Sequence, residues 1–106
     1  MNAPLAIVMT TLDDQDQAQR LGRQLVEEGL VACVQIESAP VHSVYRWEGV
    51  VQSASEWRLM LKLSSSGVDR LRERLLEIHP YETPEFMVLG AEASRAYASW
   101  IRDCCA

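Results

Sequence analysis

Short apolar, β-prone runs alternate along this chain with segments whose apolar residues recur at helical spacing, and this order limits the possible folds more than any other feature. Runs of apolar and β-branched residues are typical of buried strands, whereas apolar residues recurring every three to four positions are typical of amphipathic helices. The strand-like runs are 5–11, 30–37, 41–52, 55–64 and 85–90. The helical segments are 12–29, 64–79 and 94–105.

The ends of the helical segments carry capping and stop signals. Asp13 or Asp14 can accept hydrogen bonds from the first backbone N–H groups of the first helix. Ser66 and Asp69 resemble a capping box at the start of the second helix. Pro80 cannot continue that helix, because proline lacks the backbone N–H and its ring clashes with the preceding turn. These signals predict where the first and second helices begin or end.

The second and third helices have apolar stripes. In the second helix the stripe predicts a buried face made of Val68, Leu71, Leu75 and Ile78. In the third helix, which Ser94 caps, the residues at helical spacing are Tyr97, Trp100, Ile101 and Cys104.

The middle of the chain predicts a hairpin followed by a half-buried strand. Residues 41–52 favour a strand, a turn at Glu48–Gly49 and a short return strand. Residues 55–64 alternate in character, because successive strand residues point to opposite faces of a sheet. One face would carry Trp57, Leu59, Leu61 and Leu63, and the other Arg58, Met60 and Lys62.

The order of the elements predicts an α+β, ferredoxin-like (split βαβ) fold with an extended middle hairpin and a C-terminal helix. The length of 106 residues fits a single domain spanning 1–106. The runs at 30–36 and 85–90 are apolar on both faces, and one terminal helix can hide only part of a second sheet face. An exposed apolar patch of this kind predicts self-association, and the hairpin aromatics Tyr45 and Trp47 are of types favoured at interfaces.

Composition and charge exclude several classes of function. The net charge is −5 and the arginines are scattered, which argues against nucleic-acid binding. No run is long enough for a membrane helix, and the opening residues lack the basic region of a signal peptide, so we predict a cytoplasmic protein.

The three cysteines form neither a disulfide framework nor a zinc-ligand pattern. There is no nucleophile elbow and no phosphate-binding loop.

The segment HPYETPEF at 79–86 concentrates the residue types that carry chemistry. His79, Glu82 and Glu85 suit a metal such as zinc or copper, and the same residues suit acid–base chemistry. The third interpretation is structural: Pro80 ends the helix, Pro84 precedes the last strand, and a protonated His79 complements the carbonyl end of the helix dipole. The residues alone leave these alternatives open.

Four motifs in order along the chain resemble the divalent-cation tolerance protein CutA family. They are LVACVQI at 30–36, VYRWEGVV at 44–51, HPYETPEF at 79–86 and YASWI at 97–101. The resemblance implies a ferredoxin-like fold assembled as a tight homotrimer whose subunits pair strands across the interface. It also implies a non-enzymatic role in tolerance to copper and other divalent cations, with no cofactor required and copper or another divalent cation as the ligand. A PII-like signalling or scaffold trimer, with a small ligand or a protein partner, is the alternative.

The resemblance further implies a metal site at His79, assisted by Glu85 or Glu82. Some members of the family use a cysteine at the end of the first strand, where this chain has Thr10. A threonine removes the soft ligand that favours Cu(I), which leaves a weaker histidine and carboxylate site. At the subunit interface or cleft we predict Tyr45, Arg46, Trp47 and Tyr81.

Overall fold

The computed structural model describes residues 4–105, and within this range it contains five strands and three helices. The strands are β1 (Leu5–Leu12), β2 (Cys33–Ile36), β3 (Val41–Trp47), β4 (Val50–Ser64) and β5 (Met87–Ala91). The helices are α1 (Gln15–Glu27), α2 (Val68–Ile78), which a 3₁₀ turn at Ser65–Gly67 precedes, and α3 (Arg95–Cys104). Across this range we find no helix with the length and apolar character needed to cross a membrane.

The strands form one antiparallel sheet in the order β2–β4–β1–β5, with β3 paired to β4 alone. Two βαβ units are interleaved in this order, which is the ferredoxin-like plan and confirms the predicted fold class. The register places Val8 opposite both Leu61 and Val88. The centre of the sheet is therefore apolar on the face that Val8 shares with Leu61.

The helices α1 and α2 cover that face of the sheet. Leu21 and Leu25 of α1 and Leu71 and Leu75 of α2 pack in one cluster with Leu59, Leu61 and Leu63 of β4. The alternation predicted for this strand is confirmed, since these three leucines are fully buried. Val68 and Ile78, the other members of the predicted α2 stripe, are partly buried against the same cluster. This face holds the main core.

One prediction in the middle of the chain is wrong. The return strand of the hairpin and the strand at 55–64 are not separate elements but a single 15-residue strand, β4. No glycine or proline interrupts 50–64, and β3 supplies a pairing partner down to Glu56, so the chain stays extended. The predicted turn at Glu48–Gly49 is confirmed: φ is 51° and 79° at these residues, as a type I′ hairpin turn requires.

Two smaller predictions also differ from the structure. The second strand begins at Cys33 instead of residue 30, because the chain first makes a turn at Gly29, where φ is 73°. The cap of α2 is Gly67, with no side-chain hydrogen bond, and Asp69 pairs with Arg72 instead of completing a capping box. The cap of α1 is Asp14, whose side chain accepts a hydrogen bond from the Gln17 amide.

The opposite face of the sheet is covered only in part. Ala98 and Ile101 of α3 pack there against Leu5 and Ala32, while the ammonium of Lys62 lies 5.8 Å from the centre of the Tyr97 ring. Several large apolar side chains of this region are exposed: Met87, Leu89, Tyr97 and Trp100. The stripe of α3 is therefore buried at Ile101 but open at its aromatic residues.

Candidate functional site

His79 follows the last residue of α2 and is held by hydrogen bonds on three sides. Its backbone N–H donates to the Leu75 carbonyl at 2.8 Å, which closes the helix before Pro80. The Tyr81 backbone N–H donates to Nδ1 at 3.1 Å, and Nε2 lies 2.9 Å from the Thr11 carbonyl. Since Nδ1 accepts a hydrogen bond and a carbonyl can only accept one, the ring is the neutral Nε2–H tautomer.

Burial reinforces the neutral state of this histidine. His79 is 7% exposed. Burial lowers the pKa of His79 below its ordinary value, although the Thr11 carbonyl and the negative charges of Glu56 and Asp13 oppose this shift. The imidazole is therefore uncharged at neutral pH and fixed in one orientation.

Tyr81 connects this histidine to a buried carboxylate. The Tyr81 ring meets the His79 ring edge to face at 4.8 Å between centroids, and its hydroxyl donates to Oε2 of Glu56 at 2.8 Å. Glu56 is 8% exposed, and the same Oε2 accepts the Thr11 hydroxyl at 3.1 Å. Burial raises the pKa of Tyr81, and the hydrogen bond and the charge of Glu56 raise it further. The phenol thus stays protonated and holds the carboxylate.

Glu85 lies beside this network in a cleft of about 290 Å³ on the partly covered face of the sheet. The cleft is lined by Met9, Thr11, Val41, Ser43, Arg58, Glu85, Met87 and Leu89. Burial and the negative charge of Glu56 raise the pKa of Glu85, while Arg58 lowers it. Arg58 itself is engaged, since its Nε and Nη2 both donate to Oε1 of Glu37, at 2.9 and 2.7 Å.

The other residues predicted for the site are placed differently. Tyr45 of β3 is close enough to Tyr81 for its charged form to raise the pKa of Tyr81. Arg46 and Trp47 lie at the hairpin tip, where Arg46 donates to the Gly49 carbonyl at 3.2 Å. The tip is six residues along β4 from Glu56, or about 20 Å at the usual strand rise. Glu82 is exposed.

The fit of a metal to these residues is poor within the single chain. Across residues 4–105, His, Cys, Asp and Glu side chains form no group of three or more arranged to hold a metal ion. Both ring nitrogens of His79 already have hydrogen-bond partners. Thr10 is fully buried, on the face of the sheet opposite Thr11, and its hydroxyl has no hydrogen-bond partner within that range.

Glu56, Thr11 and Glu37 were not among the residues predicted from the sequence. Glu56 had a usable signal, because it is an acid on the same face of its strand as Arg58 and Met60. Its partners carry no such signal: Thr11 and Tyr81 lie 45 and 25 residues away, and only the folded sheet brings them together.

The fold and the site define a class: an α+β protein with a split βαβ sheet, a projecting hairpin and a buried His–Tyr–Glu network at the end of its second helix. The family model for the CutA1 divalent ion tolerance protein matches residues 6–104. The divalent-cation tolerance protein CutA of Thermus thermophilus is 37% identical over 98 residues, which cover 92% of this chain and 94% of that protein. The chain belongs to the CutA1 divalent ion tolerance family.

Solved structures agree with this assignment. CutA1 from Oryza sativa matches with a TM-score of 0.92 and 31% identity, over 99% of this chain and 96% of that one. A protein from Nostoc described as PII-like protein CutA, in apo form, matches with a TM-score of 0.87 and 40% identity, over 95% and 97% of the two chains. A relative from Archaeoglobus fulgidus, with a TM-score of 0.88 and 27% identity over 94% and 97% of the chains, is described as periplasmic.

Proposed function

We propose that this protein acts in divalent-cation tolerance as a non-enzymatic homotrimer that binds its ligand at clefts between subunits. The observation that carries the proposal is the hairpin of β3 and β4, which projects from the sheet with apolar side chains on both faces. The proposal also places the protein in the cytoplasm, as the sequence predicts, although the Archaeoglobus relative is described as periplasmic.

The hairpin supports self-association because it is poorly supported within one subunit. Residues 50–56 of β4 pair with β3, and β1 reaches only residues 57–64. Val44 is 65% exposed and Val51 62%. A two-stranded ribbon is marginally stable in water, and unpaired strand edges invite another chain. A second and a third copy of the chain would supply both the missing strand partners and the cover for these side chains.

The partly covered sheet face supports the same assembly. Met87 is 56% exposed and Leu89 46%, on the edge strand β5. Both side chains line the cleft together with Glu85, so the exposed patch and the cleft form one continuous surface. An interface that buried these side chains would therefore place Glu85 at or near the boundary between subunits.

For the ligand, we propose a divalent cation held weakly by Glu85 and Glu82. The family resemblance implies His79 as a nitrogen donor, but both of its ring nitrogens are engaged in hydrogen bonds within the chain. One subunit does not bring three donors together within residues 4–105, so the site would need groups from a neighbouring copy. Carboxylates without a thiolate favour weak binding of a hard or borderline cation over tight binding of Cu(I).

The second candidate is a PII-like trimer that binds a small organic ligand. The cleft of about 290 Å³ favours it, because its lining mixes apolar side chains with Ser43, Arg58 and Glu85. Such a lining suits an organic molecule with a few polar groups better than a bare ion. The description of the Nostoc relative as PII-like supports this alternative.

Sedimentation at micromolar concentration tests the assembly, and we expect a trimer. A monomer across the range would contradict the proposal. Calorimetric titration with Cu²⁺ and Zn²⁺ tests the ligand: Glu85→Gln should weaken binding, whereas Glu73→Gln, which removes an exposed acid on α2, should leave it unchanged. Equal isotherms for the three proteins would remove Glu85 from the site, and isotherms without metal binding would favour the organic ligand.

A further inference from the structure

We infer that His79 is a positioning residue that fixes the 79–86 segment against the sheet, and that it is not a ligand of the metal. Three separate elements meet at this residue. Its Nε2–H group binds the carbonyl of Thr11 near the end of β1, its Nδ1 binds the amide of Tyr81, and its backbone closes α2.

The Nδ1 contact forms a turn of a recognisable kind. Asparagine and aspartate side chains often accept a hydrogen bond from the backbone N–H two residues later, which orders a turn. His79 makes the same contact through Nδ1 to the N–H of Tyr81, at 3.1 Å. The turn sets the direction of the Tyr81 side chain, whose hydroxyl reaches Glu56 at 2.8 Å. His79 thereby controls the position of two further groups of the network.

The same contacts leave no room for a metal at this imidazole. A zinc ion bound to a histidine lies in the ring plane, about 2.0–2.1 Å from the nitrogen. On the Nε2 side that space lies between the ring and the Thr11 carbonyl oxygen, 2.9 Å away. On the Nδ1 side it lies between the ring and the Tyr81 amide. Metal binding would break one of these bonds in a side chain that is only 7% exposed.

The expected histidine ligand of the family therefore does not fit this chain as folded. A metal bound here would go to carboxylates such as Glu85 and Glu82, and that destination rests on the proposed function. The assignment of His79 does not depend on it, because the hydrogen bonds of this residue exist whether or not a metal binds.

Nitrogen-15 NMR of the histidine rings in the whole protein tests the assignment directly. The chain has only two histidines, and His42, on an exposed position of β3, serves as the internal reference. At neutral pH we expect His79 to give the pattern of a single Nε2–H tautomer and His42 to give averaged signals. On addition of Zn²⁺ the His79 ring nitrogens should stay unchanged. Stoichiometric movement of a His79 nitrogen to a metal-bound shift would overturn the inference.

Hydrogen exchange of the Tyr81 amide tests the positioning role. His79→Ala should abolish its protection, whereas His79→Asn, which keeps an acceptor for this amide, should retain most of it. The Tyr97 amide, which donates a hydrogen bond to the Ser94 hydroxyl at 3.2 Å, is the matched control, and its protection should not change in either variant. Equal protection of Tyr81 in the alanine variant and the natural protein would overturn the inference. Loss of Zn²⁺ binding in Glu85→Gln with unchanged His79 signals would support both the proposed cation site and the positioning role of His79. Absence of any Zn²⁺ binding to the natural protein would contradict the cation site alone.

Discussion

The two faces of the sheet differ in how completely one subunit covers them. The face under α1 and α2 is a closed apolar core, in which Leu59, Leu61 and Leu63 are fully buried. The opposite face has only α3 over one end, and its polar network and cleft lie at the other end. The covered face accounts for the stability of the single chain, whereas the open face carries the groups from which the proposed assembly and ligand binding would arise.

The largest expected difference between the faces comes from truncating one leucine on each. Leu61→Ala leaves a cavity in the covered core and should lower the free energy of unfolding by about 2–5 kcal/mol. Leu89→Ala, on the open face, should act mainly on the proposed association and shift the proposed trimer toward monomer on dilution. Denaturant unfolding at several protein concentrations measures both. Equal, concentration-independent losses would remove the distinction between the faces.

Two adjacent threonines sharpen the comparison. Thr11→Val on the open face removes a hydrogen bond to the Glu56 carboxylate and should cost about 1.5–3 kcal/mol, the range for bonds to charged groups. Thr10→Val on the covered face removes a buried hydroxyl that has no partner within residues 4–105, so its effect should be near zero or stabilising. Unfolding free energies of the two variants provide the test, and a larger loss for Thr10→Val would contradict it.

The covered face could be predicted from the sequence, because its residues follow the period of their elements. Leu59, Leu61 and Leu63 alternate, and Leu71 and Leu75 recur at helical spacing, so each local pattern points to one buried side. The open-face network follows no period. His79 meets the Thr11 carbonyl across 68 residues, and this contact depends on strand register and on the end point of α2. Neither can be read from local sequence with the accuracy that a hydrogen bond requires.

A glycine on α1 tests how tightly the covered face is packed. A Cβ at Gly22 would lie 2.9 Å from Cγ1 of Val34 and 3.4 Å from Cδ1 of Ile36. Overpacking costs about 1–3 kcal/mol, and the better helix propensity of alanine returns about 1 kcal/mol, so Gly22→Ala should be destabilising by about 1 kcal/mol. Gly90→Ala on β5 is the control, because a Cβ there meets no atom within 4 Å. Thermal unfolding of both variants is the measurement, and equal midpoints would show that α1 can move away from β2.

The smallest expected effects on the free energy of unfolding are electrostatic. Their pH dependence has opposite signs for one carboxylate on each side of the sheet. Hydrogen bonds from Arg74 and Gln24 lower the pKa of Glu28, at the end of α1, from 4.5 to about 2. The folded state holds this proton less tightly than the unfolded state, so the stabilisation is present above pH 4.5 and is lost as the pH falls toward 2. Burial and Glu56 raise the pKa of Glu85, so the folded state holds that proton more tightly and stability falls as the pH rises past the ordinary value.

Substitution of each acid separates these two slopes. In Glu28→Gln the loss of stability on acidification toward pH 2 should become shallower. In Glu85→Gln the opposing decline above the ordinary glutamate pKa should disappear, so that stability at neutral pH rises slightly relative to pH 4. Urea unfolding across this pH range, at one fixed protein concentration, measures both slopes. Parallel curves for the two variants and the natural protein would mean that the pKa of neither carboxylate differs between the folded and unfolded states. Ionisation of Glu28 beside the helices and of Glu85 in the cleft would then contribute nothing to the pH dependence of folding.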